Sequence, residues 1–240
     1  MRILLPTSKS KTQFYINQSY VKYLTENKLL PILVNQDMNT EHIKELEDYC
    51  DGLLLPGGVD IDPIYYGYDN IECYKTSPQK DEFERNLLRN FIDKEKPVFG
   101  ICRGFQLILR ELKFAFPDEV PFIFNQHIPY HNICNDNNID RSIKSHFVFK
   151  VNAKSKMFDD VEDFISVNSI HHQGLKCKRG NYKTNVVSVE MVSKLGLGKD
   201  KESFVIEAFS SDTLNLFGVQ WHPEELKNDE LVGKFFNQEN

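Results

Sequence analysis

The strongest constraint on the fold is a ten-residue stretch, 97–106, that reads as a strand, a sharp turn and the start of a helix. The run 98–101 is short and apolar, which is typical of a fully buried central strand, and apolar residues then recur at helical spacing. Cys102 lies at the junction. Gly100 and Gly104 stand two positions on either side of it, and small residues there allow a strand and a helix to pack closely. The spacing predicts a nucleophile elbow with cysteine in place of serine.

A cysteine in this position can be interpreted in two ways. At a helix N-terminus, unpaired N–H groups and the positive end of the helix dipole favour the thiolate, which is the reactive form of the side chain. A buried structural cysteine after a core strand would give the same local pattern, because free cysteine is among the most buried residue types. The elbow alone favours the buried structural residue over the nucleophile.

A second stretch, 214–224, supplies the groups that a catalytic thiol needs. It reads as a strand that ends in His222, with Pro223 and Glu224 directly after it. A thiol is activated by an imidazole within hydrogen-bonding reach, and a carboxylate on the second ring nitrogen fixes the tautomer and stabilises the imidazolium. Together with Cys102, this pattern favours a Cys–His–Glu catalytic unit over a surface or core-edge histidine.

These motifs carry a resemblance to a known family. Gly-Ile-Cys-Arg-Gly-Phe-Gln at 100–106 and Gln-Trp-His-Pro-Glu at 220–224 are similar to the motifs of the class I, or triad, glutamine amidotransferases. The stretches 55–67, 80–84 and 167–173 resemble, more narrowly, the peptidase C26-like γ-glutamyl-amide hydrolases of the γ-glutamyl-γ-aminobutyrate type, and they occur in that family's order. The match spans almost the whole chain.

The resemblance implies a cysteine-dependent hydrolase that cleaves a small γ-glutamyl amide through a glutamyl thioester. Cys102 would be the nucleophile, His222 would transfer its proton, and Glu224 would orient His222. The backbone N–H groups of Gly58 and Arg103 would form the oxyanion hole. An ordinary tight turn is the alternative for Gly57-Gly58, but the position of this pair at the end of a strand, next to the expected elbow strand, favours the functional interpretation.

The resemblance also implies which residues bind the substrate. Gln106, one turn along the elbow helix, corresponds to the family's substrate-binding glutamine. A polar loop is expected to contact the α-amino and α-carboxylate groups of the γ-glutamyl moiety, through Ser169, His171, His172 and Gln173. The segment 110–116 departs from the family, so we expect the leaving amine to depend on the loops at 59–80 and 110–140. The alternative function is a glutaminase subunit that supplies ammonia to a separate synthetase; a non-catalytic binding protein is a third.

Buried apolar runs alternate with amphipathic stretches, and strands are predicted at 3–5, 29–34, 52–55 and 98–101. Such alternation predicts a mostly parallel sheet flanked by helices, with ligands at the carboxyl ends of its strands. Residues 204–209 and 214–220 predict an antiparallel hairpin. With the resemblance, we expect an α/β chain of the flavodoxin-like class I glutamine amidotransferase fold, with an antiparallel extension and one domain over 1–240.

Two helix predictions bear on the site. One helix is predicted from Phe14 to Leu24, and an amphipathic helix over 81–96 begins with Asp81 and Glu84. Carboxylates in the first turn interact favourably with the helix dipole, which is the preferred interpretation of these two acids. A paired-carboxylate acid/base site is the alternative.

Charge and cysteine usage limit the possible partners. The net charge of −6 comes from 29 basic and 35 acidic residues that are spread along the chain, which argues against nucleic acid. Five cysteines, with no Cys-x-x-Cys pair, indicate neither a disulfide framework nor a thiolate zinc site. The cysteine usage fits a reducing cytoplasm, and because no apolar stretch is long enough to span a membrane, no membrane association is expected. The resemblance implies a small γ-glutamyl compound as the ligand, and we expect a possible homodimer.

No cofactor or metal is expected. The chain has no phosphate-binding Gly-x-Gly-x-x-Gly or Walker sequence. His127, His131 and Cys134 share a polar segment, but Pro129 between the two histidines breaks the helix that would align them as metal ligands.

Overall fold

The computed structural model describes residues 1–128, 140–194 and 203–237. Its helices are α1 (Gln18–Glu26), α2 (Thr40–Tyr49), α3 (Pro78–Asp93), α4 (Arg103–Ala115) and α5 (Leu231–Phe236), with 3-10 turns at Pro63–Tyr66 and Pro223–Glu225. Its strands are β1 (Arg2–Pro6), β2 (Ser8–Lys9), β3 (Phe14–Tyr15), β4 (Leu30–Val34), β5 (Gly52–Leu55), β6 (Val98–Ile101), β7 (Ile123–Asn125), β8 (His146–Lys150), β9 (Phe164–Val167), β10 (Gly174–Lys178), β11 (Ser188–Lys194), β12 (Ser203–Ser211) and β13 (Leu216–Val219).

The parallel part of the sheet has the strand order β4-β1-β5-β6-β13. β5, β6 and β13 are buried along their whole length, as expected for strands covered on both faces. In register, Leu55 lies opposite Gly100 and Val219 opposite Ile101. The segments that follow these strands therefore leave the sheet at one edge, which confirms the predicted α/β fold with a mostly parallel core.

The second part of the sheet is antiparallel. β12 pairs with β13, with Ala208 opposite Val219, which is the hairpin that the sequence predicts. The order continues through β11 and β8 to β9, while β10 pairs with β12 and β7. This extension places the loop between β9 and β10 beside the parallel strands' carboxyl edge.

The elbow between β6 and α4 depends on close packing. A Cβ atom built on Gly104 would lie 2.1 Å from the carbonyl oxygen of Leu55, and one on Gly100 would lie 2.7 Å from the carbonyl carbon of Gly104. Cys102 has φ 52° and ψ −103°, a backbone conformation that L-residues rarely adopt. Its N–H donates to Val219 O at 2.8 Å, which ties the turn to β13.

One local prediction needs correction. The helix expected from Phe14 begins only at Gln18, because the side chain of Asn17 accepts from the Ser19 N–H and caps it; Phe14 and Tyr15 instead pair with β2. At the start of α5, Asp229 Oδ1 accepts from the Leu231 N–H at 3.0 Å. Among the described residues, no helix combines the length and apolar character needed to cross a membrane.

The elbow gives a stability prediction. Gly104→Ala should lower the free energy of unfolding by about 3 kcal/mol, because the new methyl group overlaps Leu55 O and forces α4 away from β5. Gly180→Ala is the control: Gly180 has φ 89° but no atom within 4 Å, so it should cost about 1 kcal/mol from backbone strain alone. Urea unfolding measures both, and an unchanged midpoint for Gly104→Ala would contradict the packing argument.

Candidate active site

A cavity of about 240 Å³ lies at the carboxyl edge of β5, β6 and β13. Most residues predicted for the site line it: Gly58, Cys102, Arg103, Gln106, His171, His172 and Gln173. His222 lies next to Cys102, and Glu224 lies next to His222. Ser169 is fully buried and does not belong to the cavity wall.

Cys102, His222 and Glu224 form a contiguous buried group. His222 Nδ1 lies 2.6 Å from Glu224 Oε1, because the 3-10 turn that begins at Pro223 folds the two side chains together. The imidazole also interacts with the side chain of Cys102, through a hydrogen bond and charge. The three residues are between 5% and 8% exposed, so bulk water screens their charges poorly.

The pKa of His222 is raised by its two neighbours. Burial disfavours the charged imidazolium, but the negative charges of Glu224 and Cys102, with their hydrogen bonds, outweigh burial and raise the pKa of His222 to about 10. His222 therefore holds a proton next to the sulfur at neutral pH. An imidazolium in this position stabilises a thiolate.

Asn168 holds the backbone of His222 from both sides. The His222 N–H donates to Asn168 Oδ1 at 3.0 Å, and Asn168 Nδ2 donates to His222 O at 2.9 Å. Asn168 Nδ2 also donates to Arg141 O at 2.9 Å, and the side chain is fully buried. The sequence places Asn168 in a recognisable motif, but its partner lies 54 residues away and no local pattern identifies it.

Tyr20 is a second contact that the sequence does not reveal. Its hydroxyl accepts from the Gly57 N–H at 2.9 Å and also interacts with Glu224. Burial, followed by the charges of Glu224 and Cys102, raises the pKa of Tyr20, so its hydroxyl keeps its proton. The helical periodicity of α1 indicates only that Tyr20 faces the core.

The glycine pair after β5, Gly57 and Gly58, lies close to the buried group of Cys102, His222 and Glu224. A Cβ atom on Gly57 would lie 2.8 Å from Tyr20 Oη and 2.9 Å from His222 Cε1, so position 57 has no room for a side chain. Because Gly57 donates to Tyr20, the donor left for a ligand on this loop is the N–H of Gly58. Arg103 is the first residue of α4, where the N–H has no partner within the helix.

The side chain of Arg103 is buried in an ion cluster with α3. It forms ion pairs with Asp81 and Glu84, and Glu84 Oε1 also accepts from Lys80 Nζ at 2.5 Å. Burial opposes the charge on Arg103, but these carboxylates outweigh it and raise the pKa of the guanidinium. Asp81 lies in the first turn of α3, as the preferred interpretation has it, whereas Glu84 lies beyond that turn because the helix begins at Pro78 rather than Asp81. Both carboxylates are 0% exposed. They anchor the residue that follows Cys102.

The loop between β9 and β10 forms the other wall of the cavity. Gln106 Nε2 donates to Gln173 O at 3.1 Å and to Gln220 Oε1 at 3.0 Å, which fixes the amide. His171 Nδ1 lies 2.8 Å from the same Gln173 oxygen. His172 Nε2 lies 2.9 and 3.0 Å from the two oxygens of Asp60, so this loop is joined to the segment after the glycine pair.

Tyr74 covers the cavity near its mouth. Its ring stacks on His172, with 4.1 Å between ring centroids. The imidazole of His127 lies further out, 6.2 Å from that of His172. Within 1–128, 140–194 and 203–237, no group of three or more His, Cys, Asp or Glu side chains could hold a metal ion. His131 and Cys134 lie outside the described residues.

Several known proteins are similar to this chain over most of its length. The chain is 27% identical to a putative glutamine amidotransferase-like protein, YvdE, of Lactococcus lactis, over 88% of this chain and 80% of that protein. It is 26% identical to the gamma-glutamyl-CDP-amidate hydrolase of Campylobacter jejuni, over 86% of this chain and 78% of the relative. The glutaminase domain of Trypanosoma brucei CTPS, solved with bound acivicin, shares the fold with a TM-score of 0.63 at 14% identity, covering 98% and 90% of the two chains.

The family model described as peptidase C26 matches residues 5–224, which include the elbow, the glycine pair and the His-Pro-Glu segment. The chain belongs to the peptidase C26 family of hydrolases.

Proposed function

We propose that this protein hydrolyses the γ-glutamyl amide bond of a small γ-glutamyl compound, with Cys102 as the nucleophile. The observation that carries the proposal is the buried contact of Cys102 with His222, whose Nδ1 is bonded to Glu224 at 2.6 Å. A thiol on a strained elbow, an imidazole beside it and a carboxylate behind the imidazole are the parts that acyl transfer through a thioester requires.

The first half of the reaction forms the thioester. Cys102 Sγ attacks the γ-carbonyl carbon as a thiolate, and the carbonyl oxygen gains negative charge, which the N–H groups of Gly58 and Arg103 stabilise. The C–N bond then breaks. His222 gives its proton to the leaving nitrogen, so a neutral amine departs, and Glu224 stabilises the imidazolium until that transfer.

The second half returns the enzyme to its starting state. Water attacks the thioester carbon while the now neutral His222 takes one of its protons. The C–S bond breaks, glutamate leaves, and the Cys102 thiolate is again paired with the imidazolium. The two steps together consume one water and release glutamate and one amine.

The lining of the cavity supports a γ-glutamyl group as the part that is recognised. A glutamyl head carries one cation and one anion, and the wall offers Asp60 and Lys75 as complementary charges. The bonded Gln106 amide adds a fixed polar group to the same lining. The hydrolase of Campylobacter jejuni is named for a γ-glutamyl substrate, and we extend that substrate class to this chain.

Substrate selectivity tests the proposal against the glutaminase alternative. We expect kcat/KM of the purified chain to be higher for γ-glutamyl-γ-aminobutyrate and γ-glutamyl-4-nitroanilide than for glutamine, because a larger amine adds binding energy that ammonia cannot. Cys102→Ser should lower turnover by about a thousandfold or more, while Cys50→Ser, at a buried cysteine outside the site, should not. A preference for glutamine, or activity that requires an added synthetase, would favour the alternative.

The ionisation of His222 gives a second prediction. In the wild type, the ¹⁵N-labelled imidazole should remain protonated from pH 6 up to about 10, because its pKa is raised from 6.5. Glu224→Gln removes the first of the two charges that raise it, so the transition should move toward neutral pH. The stability from this charge pair is complete below about pH 6.5 and disappears as the pH rises through about 10. An unchanged titration in Glu224→Gln would contradict the assigned role.

Asn168 gives a third prediction. Asn168→Ala removes both hydrogen bonds to the His222 backbone, so kcat should fall about 100-fold while KM stays within about threefold, because Asn168 does not line the cavity. Asn152→Ala is the matched control, since Asn152 bonds Ser188 and Glu190 away from the site. Circular dichroism would verify folding. Equal kcat values for the two variants would show that the hydrogen bonds from Asn168 do not position His222.

A further inference from the structure

A second cavity, of about 580 Å³, opens beside the middle of α4 and has no part in the proposed reaction. We call it the aromatic cavity, because six rings line it, those of Tyr65, Tyr66, Tyr68, Phe114, Phe122 and Phe124. Arg110 and Lys113 add two cations to the same wall. The cavity combines flat apolar surfaces with positive charge.

Its rings leave apolar surface accessible to water. Tyr66 stacks on Phe124 with 5.0 Å between centroids and 16° between planes, which forms a flat inner wall. Phe114 is 71% exposed and Tyr68 is 53% exposed at the rim. Large aromatic side chains gain free energy when such surface is covered, and they prefer another ring as the partner.

The positive charge beside the rings is incompletely balanced. Arg85, Arg89 and Arg110 all form ion pairs with the same carboxylate, Glu111. Within the described parts of the chain, these three guanidiniums have no second carboxylate at ion-pairing distance. Three positive charges therefore share one negative charge, and of the three arginines Arg110 is the one that lines the cavity.

Arg110 is held in place by hydrogen bonds and an ion pair. Its Nε and Nη2 donate to Tyr65 O at 3.0 and 2.8 Å, so the guanidinium is fixed against the 3-10 turn. Its Nη1 is buried and forms the ion pair with Glu111. Burial, together with the charges of Arg85 and Arg89, lowers the pKa of Arg110 to about 10, which means that a nearby anion would relieve an unfavourable charge.

We infer that the aromatic cavity binds a small ligand that carries a planar ring and a negative charge. The ring would cover the wall of Tyr66 and Phe124, and the anion would pair with Arg110 and Lys113. A nucleoside phosphate and an aromatic carboxylate share this chemistry. The site is separate from the hydrolytic cavity and does not depend on the proposed function.

The two cavities are neighbours along one helix face. Cys102, Gln106 and Arg110 are spaced four residues apart on α4, so the Cα atoms of Cys102 and Arg110 lie roughly 12 Å apart. The wall between the cavities contains Gln173, whose Nε2 donates to Cys73 Sγ at 2.8 Å and to the hydroxyl of Tyr66 at 3.4 Å. A ligand that covers Tyr66 would therefore lie beside Gln173, which also lines the hydrolytic cavity.

Isothermal titration calorimetry with two matched probe pairs tests the inference on the full chain. The pairs are adenosine 5′-monophosphate with adenosine, and indole-3-acetate with indole-3-acetamide, so each anion has a neutral analogue with the same ring. At least one anion should bind about tenfold or more tightly than its analogue, and the pair that responds identifies the source of the charge. Glutamate at saturating concentration should not displace it.

Three variants locate the bound probe. Arg110→Gln should weaken anion binding about tenfold or more. Phe114→Ala and Lys113→Gln, both at positions accessible to solvent, should each weaken it about threefold. Lys22→Gln removes the same charge from α1, away from the cavity, and should change nothing.

Three results would overturn the inference: neither anion binds better than its neutral analogue, glutamate competes with the probe, or Lys113→Gln and Phe114→Ala both leave the dissociation constant unchanged. The last result decides the question even if Arg110→Gln fails to fold, because Arg110 also supports Tyr65.

Discussion

The candidate site depends on the close approach of α4 to β5. The position a Cβ atom would take on Gly104 is 2.1 Å from Leu55 O, so the helix can lie against the strand only where no side chain intervenes. That contact sets the position of Cys102 and of the first free N–H of α4 relative to the glycine pair after β5. The oxyanion donors proposed here belong to two segments that are held together by backbone packing rather than by side chains.

Helix α3 holds the side chain of Arg103 through buried ion pairs with Asp81 and Glu84. Replacing a whole buried ion cluster with apolar residues is often neutral for stability, whereas removing one partner commonly costs about 3–5 kcal/mol, because an uncompensated charge is left behind. The residues of this cluster are all 3% exposed or less: Arg103, Asp81, Glu84 and Lys80. Removing one of them alone would therefore destabilise the fold, because its partners would keep a buried charge without compensation. The charges therefore specify one geometry of the turn more than they add to the total stability.

The sequence predicted those parts of the structure that depend on local pattern. Apolar runs predicted the central strands. The spacing of the two glycines predicted the elbow, because the residues that define its strand, turn and helix all lie within ten positions. The contacts of Asn168 with His222 and of Tyr20 with Gly57 were not predictable, since each joins residues that are distant in the chain. The ion pairs of Asp81 and Glu84 with Arg103 were not predictable for the same reason: the periodicity of α3 does not reveal that an arginine from α4 meets them.

The backbone of Cys102 has a consequence for how stability and reactivity are related. At φ 52° and ψ −103°, a non-glycine residue carries strain of about 1–3 kcal/mol, which glycine would largely avoid. Losing the side chain at this position would therefore relax the turn that the rest of the elbow maintains. The chain has cysteine at a position where glycine would be less strained, so its folded state is less stable than the same fold with a relaxed turn could be. In the proposed reaction, that loss of stability is the cost of placing the nucleophile on the elbow.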